Sequence, residues 1–138
     1  MARTPLRPHP TRRSADRTLR LVGTTLPPRR AAAFARALVA ARVAACVQVV
    51  PGVRSVYRWK GAVRRDPEAQ VWIKTTGGAL PRCLEMLTRE HPYDVPEVIV
   101  LKADAVSPAY GAWVLRETSP IPVEPVAGQH VRPARRPR

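Results

Sequence analysis

Residues 45–76 read ACVQVVPGVRSVYRWKGAVRRDPEAQVWIKTT. Ala45 to Val50 is apolar throughout except for Gln48, and its length and valines favour a strand over a helix. Pro51-Gly52 predicts a bend or bulge. From Val53 to Lys60 the pattern alternates, with Ser55, Tyr57 and Trp59 on one side and Arg54, Val56 and Arg58 on the other. Gly61 and Asp66-Pro67 mark a turn region. Ala69 to Thr76 returns as a strand centred on Val71-Trp72-Ile73. Together these segments predict a long antiparallel hairpin.

Working outward, Thr18 to Leu26 reads as a strand rich in β-branched residues. Pro27-Pro28 ends it and opens a helix reaching to about Arg42, with Ala31, Phe34, Ala35 and Leu38 on one face. After Gly77-Gly78 a second helix, Leu80 to Glu90, carries Leu80, Cys83, Leu84 and Leu87 on one stripe, and Pro92 stops it. Glu97 to Leu101 reads as a strand. Ser107-Pro108 starts a short third helix with Tyr110, Trp113 and Val114. Ile121 to Val126 is expected as a last strand, confined to an edge by the prolines at 120, 122 and 125. The order β-α-β-β-α-β is that of an α+β, ferredoxin-like domain: an antiparallel sheet with both helices on one face, plus an extra C-terminal helix and edge strand. Val47-Gln48-Val49-Val50 and Val71-Trp72-Ile73 do not alternate, as befits strands covered on both faces. Two helices cover one face, so a second copy of the chain is expected on the other.

The 138 residues suit one domain, expected over 18–126 between two tails, 1–17 and 127–138. The formal charge is +14, and more than half of it sits on those Pro/Arg-rich tails. Arginines neutralise phosphate, which would suit nucleic acid. However, only three of the 24 basic residues are lysine, and no aromatic residue interleaves the tail arginines. The tails are therefore read first as solvated, disordered segments of an arginine-biased composition, with nucleic-acid binding through them as the alternative, to be recognised by an affinity that collapses with salt. No apolar run is long enough to span a membrane. Arg12-Arg13 lacks the apolar segment of an export signal, and Pro5, Pro8 and Pro10 break the helix of a transit peptide. Two cysteines cannot staple a secreted scaffold, so a cytoplasmic protein is expected.

LVAARVAACVQVVP at 38–51, SVYRWKG at 55–61, IKTT at 73–76 and HPYDVPE at 91–97 stand in an order and spacing that resemble the CutA family of divalent-cation tolerance proteins. The resemblance covers roughly residues 18–117. It implies a tight homotrimer in which the hairpin arms embrace neighbouring subunits, and a role in tolerance of copper or another divalent metal ion. No organic cofactor and no enzymatic activity are implied. The chain departs from the family's usual pattern at Gln48, Lys60 and Asp94. Some members carry a cysteine in the first strand and a doubled histidine before the Pro-Tyr; the corresponding places here are Gly23 and Glu90.

The candidate metal ligands are His91 and Cys46, since imidazole and thiolate suit copper. His91 serves equally well as a cap of the second helix, and Cys46 as a small core residue. Cys83 lies on an apolar stripe and reads as core. Lys74 is a charge within an apolar strand and needs a partner, either Glu97 or an anionic ligand. Lys74, Trp59, Glu97 and Tyr93 form a candidate ligand cleft, although aromatic residues such as Tyr57, Trp59, Tyr93 and Trp113 also suit subunit packing. No nucleophile–base–acid set and no phosphate-binding glycine loop stand out. A second reading, by analogy of fold, is a trimeric small-ligand sensor of the PII type, with Lys74 and Arg58 receiving an anion.

Overall fold

The structure, a computed structural model, describes residues 16–120. Four strands and three helices follow one another as β1 (Leu19–Leu26), α1 (Pro28–Ala40), β2 (Cys46–Trp59), β3 (Ala62–Thr76), α2 (Leu80–Glu90), β4 (Ile99–Lys102) and α3 (Pro108–Glu117). The strands form one antiparallel sheet in the order β2-β3-β1-β4. This is the ferredoxin-like α+β arrangement. The expected strand at 121–126 and the tails, apart from Asp16 and Arg17, lie outside the described residues; Asp16 is tied down, its carbonyl accepting the Gly78 N–H at 2.8 Å.

Each helix starts where a proline's fixed φ and missing N–H cost nothing, with Pro28 and Pro108 in the first turn of α1 and α3. Ser107 takes the N-cap position of α3, but its hydroxyl makes no cap bond. α1 ends two residues earlier than expected. Arg42 adopts φ 58° just beyond it, and its N–H and that of Val43 bond back to the carbonyls of Val39 (3.0 Å) and Leu38 (3.3 Å). This is the paired carbonyl capping of a Schellman motif, with arginine where glycine is usual. The side chain turns to α3: Nε donates to the Ser119 carbonyl at 2.8 Å, an Nη to the Arg116 carbonyl at 2.6 Å.

Val22, Leu26, Val71 and Ile73 face the helices and are buried against Ala31, Phe34, Leu38, Cys83 and Leu87. Each large side chain so buried stabilises by roughly 1.5–3 kcal/mol, which is what holds both helices on this face. The opposite, outer face has little cover. Register places Gln48, Trp72, Gly23 and Ile99 in one row and Cys46, Lys74, Leu21 and Leu101 in the next. Ile99 is 51% exposed, Leu101 49% and Val50 43%.

The hairpin is longer than the sequence suggests. β3 begins at Ala62, not Ala69, and the turn is Lys60-Gly61, with φ 49° and 76° at the two positions. Two left-handed residues make the tight turn whose twist matches paired strands. Asp66-Pro67 therefore lies inside a strand. Proline is tolerated there because β1 pairs only with Ala69–Thr76, so Pro67 has β2 on one side and no ladder on the other. The bulge expected at Pro51-Gly52 is present as a register shift between Val50 and Val53. Beyond it the hairpin projects as a two-stranded arm.

Candidate functional site

The arm, the start of α1 and the loop after α2 enclose a cleft of about 1140 Å³. One wall is Ser55, Tyr57 and Trp59 of β2 with Asp66, Pro67 and Glu68 of β3. The other is Pro27 to Arg29 and the loop from Pro92 to Glu97. The hairpin's projection creates the hollow, and the prolines at 27 and 92 hold the opposite wall in extended backbone.

Asp66, Glu68, Asp94 and Glu97 line it, four of the ten carboxylates in a chain of net charge +14. Glu68 is buried and accepts the Tyr93 hydroxyl at 2.9 Å. Burial and that carboxylate push the Tyr93 hydroxyl far above its ordinary pKa, so it stays protonated. Tyr57 donates likewise to Asp66.

His91 caps the end of α2 and packs beside the cleft, against Tyr93 (5.1 Å between ring centroids) and Phe34 (6.1 Å). Its Nδ1 accepts the Tyr93 N–H at 3.2 Å, which leaves the proton on Nε2, 3.0 Å from both the Thr25 carbonyl and the Thr24 hydroxyl. Burial holds its pKa below the ordinary value, against the pull of the Thr25 carbonyl and Glu68. The ring is a neutral strut with both nitrogens engaged.

Of the residues singled out from sequence, Trp59, Tyr93 and Glu97 line this one cleft. Glu97 lies in the loop before β4, not in the strand. Lys74 is elsewhere, on the outer face, its ammonium 5.8 Å from the Tyr110 ring centroid. No carboxylate among the described residues pairs with it. It borders a smaller pocket of about 360 Å³ with Lys102 at its rim.

Cys46 stands in the same outer-face row as Lys74, whereas His91 bonds to Thr24 on the helix face. A single chain therefore does not bring Cys46 and His91 to a common ion. Among the described residues no three His, Cys, Asp or Glu side chains are grouped to hold a metal. Cys83 is a buried free thiol whose pKa burial pushes up to about 11, an inert core group. Gly23 lies under the Trp72 indole: a Cβ there would stand 2.8 Å from its Cζ3. Asp66 and Glu68 went unremarked in the sequence because Asp66-Pro67 reads as a turn.

A ferredoxin-like domain with a projecting hairpin arm and an acidic, aromatic cleft at its root is the class of protein defined so far. The family model described as CutA1 divalent ion tolerance protein matches residues 20–117. The divalent-cation tolerance protein CutA of Thermus thermophilus is 42% identical over 85 residues, covering 62% of this chain and 82% of that protein. Protein CutA of Mus musculus is 40% identical over 88 residues, covering 64% of this chain; the chain thus spans about half, 50%, of that relative. The crystal structure of CutA from Xylella fastidiosa superposes with a TM-score of 0.72 at 34% identity, covering 74% of this chain and 99% of that one. A PII-like protein CutA from Nostoc sp. PCC 7120 gives 0.70 at 33%, with 74% and 99% covered. The chain belongs to the CutA family of divalent-cation tolerance proteins. No helix among the described residues is long and apolar enough to cross a membrane.

Proposed function

We propose that the chain acts as a cytoplasmic homotrimer that takes up copper or another divalent ion weakly, at clefts completed between subunits. The observation that carries this reading is the outer face of the sheet. Val50, Trp72, Ile99 and Leu101 form an apolar surface that α1 and α2 leave uncovered and that α3 borders only through Tyr110, between two open edge strands, β2 and β4. Leaving such a surface wet forgoes about 25 cal/mol per Å² of burial, and copies of the same chain around a closed axis recover it. The family's tie to divalent ions supplies the cargo.

Weak uptake follows from the candidate ligands. His91 can receive an ion only by giving up the Tyr93 N–H or the Thr25 carbonyl. Cys46 has to come from a different subunit, since it stands on the other face of the sheet. Calorimetric titration with Cu(II) tests this: a whole-number stoichiometry per trimer, lost in His91→Ala and weakened in Cys46→Ser, is expected. Binding indifferent to both substitutions contradicts the ligand assignment.

One observation favours a second reading, a PII-like sensor of anionic ligands. Lys74 has no carboxylate partner among the described residues and shares an apolar pocket with Lys102. Titration with adenine nucleotide, compared with Lys74→Gln, separates the two: saturable binding abolished by the substitution supports the sensor, and no binding rejects it.

A further inference from the structure

Lys74 is a charge without a counter-charge in its own chain. It is half-buried beside Leu19, Leu21 and Leu101, its ammonium 5.8 Å from the centroid of the Tyr110 ring. None of the ion pairs among the described residues includes it. When copies of the chain cover the outer face, that ammonium leaves water. An ammonium so covered is costly unless a carboxylate meets it. The rows around it, Cys46-Lys74-Leu21-Leu101 and Gln48-Trp72-Gly23-Ile99, contain no acid.

Most carboxylates of the described chain are already engaged. Asp16 pairs with Arg20 at 2.9 Å, Glu117 with Arg42 at 3.6 Å and Glu90 with Arg89 at 3.4 Å. Asp66 and Glu68 accept tyrosine hydroxyls, and Glu85 is on the exposed side of α2. Of Asp94, Glu97 and Asp104, only Glu97 has the parity of Ile99 and Leu101, the outer-face residues of β4. The chain entering that strand therefore carries the Glu97 carboxylate towards the outer face.

Within one chain the two charges are too far apart to pair. Lys74 shares a row with Leu101, four residues beyond Glu97, or about 13 Å along the strand. The chain is thus charged unevenly from end to end. Lys74 and Lys102, two of its three lysines, lie at one end of β1. Asp66, Glu68, Asp94 and Glu97 gather at the other. Copies set like end to like end repel, and copies set head to tail match. A closed three-fold ring is built of head-to-tail contacts, in which one patch meets a different patch of the next copy.

We infer that Lys74 of each subunit pairs with Glu97 of the partner subunit, and that this contact sets the head-to-tail register of the ring. The inference rests on the trimer proposed above, and it commits Lys74 to assembly, not to a soluble anion.

The test is zero-length carbodiimide coupling of the full-length wild-type protein, which joins an ammonium to a carboxylate only where the two touch. The protein is assembled from isotopically light and heavy chains, and coupled peptides are mapped by mass spectrometry. With three lysines in the chain the map is short. A Lys74–Glu97 link that joins a light chain to a heavy one is expected, and it should vanish in Lys74→Gln. Lys74→Glu and Glu97→Lys alone each set like charges together and should weaken assembly about tenfold or more in sedimentation, and the two combined should restore it. A wild-type protein that sediments at 15.3 kDa overturns the trimer, and the inference with it. A trimer in which Lys74 stays uncoupled, couples within its own chain or couples to another carboxylate overturns this inference alone. A charge exchange that fails to restore assembly overturns it equally.

Discussion

Arg42 holds a left-handed backbone that glycine would adopt freely, and keeps it because its guanidinium ties the end of α1 to the last carbonyls of α3. Removing the side chain while keeping the strain should be worse than removing both. Arg42→Ala is expected to lower stability by about 2 kcal/mol through the lost charged hydrogen bonds, and Arg42→Gly by about 1 kcal/mol less than that, since the left-handed penalty goes with the Cβ. Urea denaturation of the two variants settles the order. His91 makes a second prediction. Its ring is neutral in the fold and burial keeps its pKa below the ordinary value. The unfolded chain therefore takes up a proton first as pH falls. The ring's contribution is intact above about pH 6.5 and is lost as pH drops towards the folded ring's pKa. Denaturation midpoints measured from pH 7.5 to 5 should decline in the wild type and decline less in His91→Gln. Equal slopes would remove His91 as the cause.

At the scale of elements, the hairpin turn is the informative one. Lys60 occupies a left-handed position where asparagine or glycine is usual, so Lys60→Asn should stabilise by roughly 0.5–1 kcal/mol, read as a shift in thermal midpoint. Gly23→Ala should destabilise by about 1–3 kcal/mol, because its methyl meets the Trp72 indole and the outer-face row must reorganise. The helices and the strand order were legible in the sequence because their apolar periods differ and prolines and glycines punctuate them. The arm was only half legible. Asp66-Pro67 carries a turn's composition, and nothing local reveals that β1 stops at Leu26 and leaves Pro67 without a second neighbour. That misreading hid Asp66 and Glu68, the carboxylates of the arm side of the cleft. The placing of Lys74 is hidden for a related reason: how far a strand residue lies from a loop depends on register and strand length, which local sequence does not show. Lys74 pairs with Cys46 and Leu21 near the start of β1, whereas Trp59, Tyr93 and Glu97 converge from three parts of the chain on the cleft at the other end of that strand.

For the whole molecule, the outer face left bare by α1 and α2 is the feature that calls for assembly. Runs such as Val71-Trp72-Ile73 already showed that both faces of the sheet ask for cover; only the structure shows how much of one face the chain's own helices leave bare. Ile99→Glu with Leu101→Glu places two charges on that face without touching the core, and should dissociate the assembly while leaving the far-ultraviolet circular dichroism of the subunit in place. The most direct measurement is sedimentation equilibrium of the full-length chain. A single species of three times the chain mass of 15.3 kDa is predicted, constant over a wide range of concentration. A species of 15.3 kDa would contradict the account, since the outer face would then be stable in water and no cleft between subunits would exist to receive an ion.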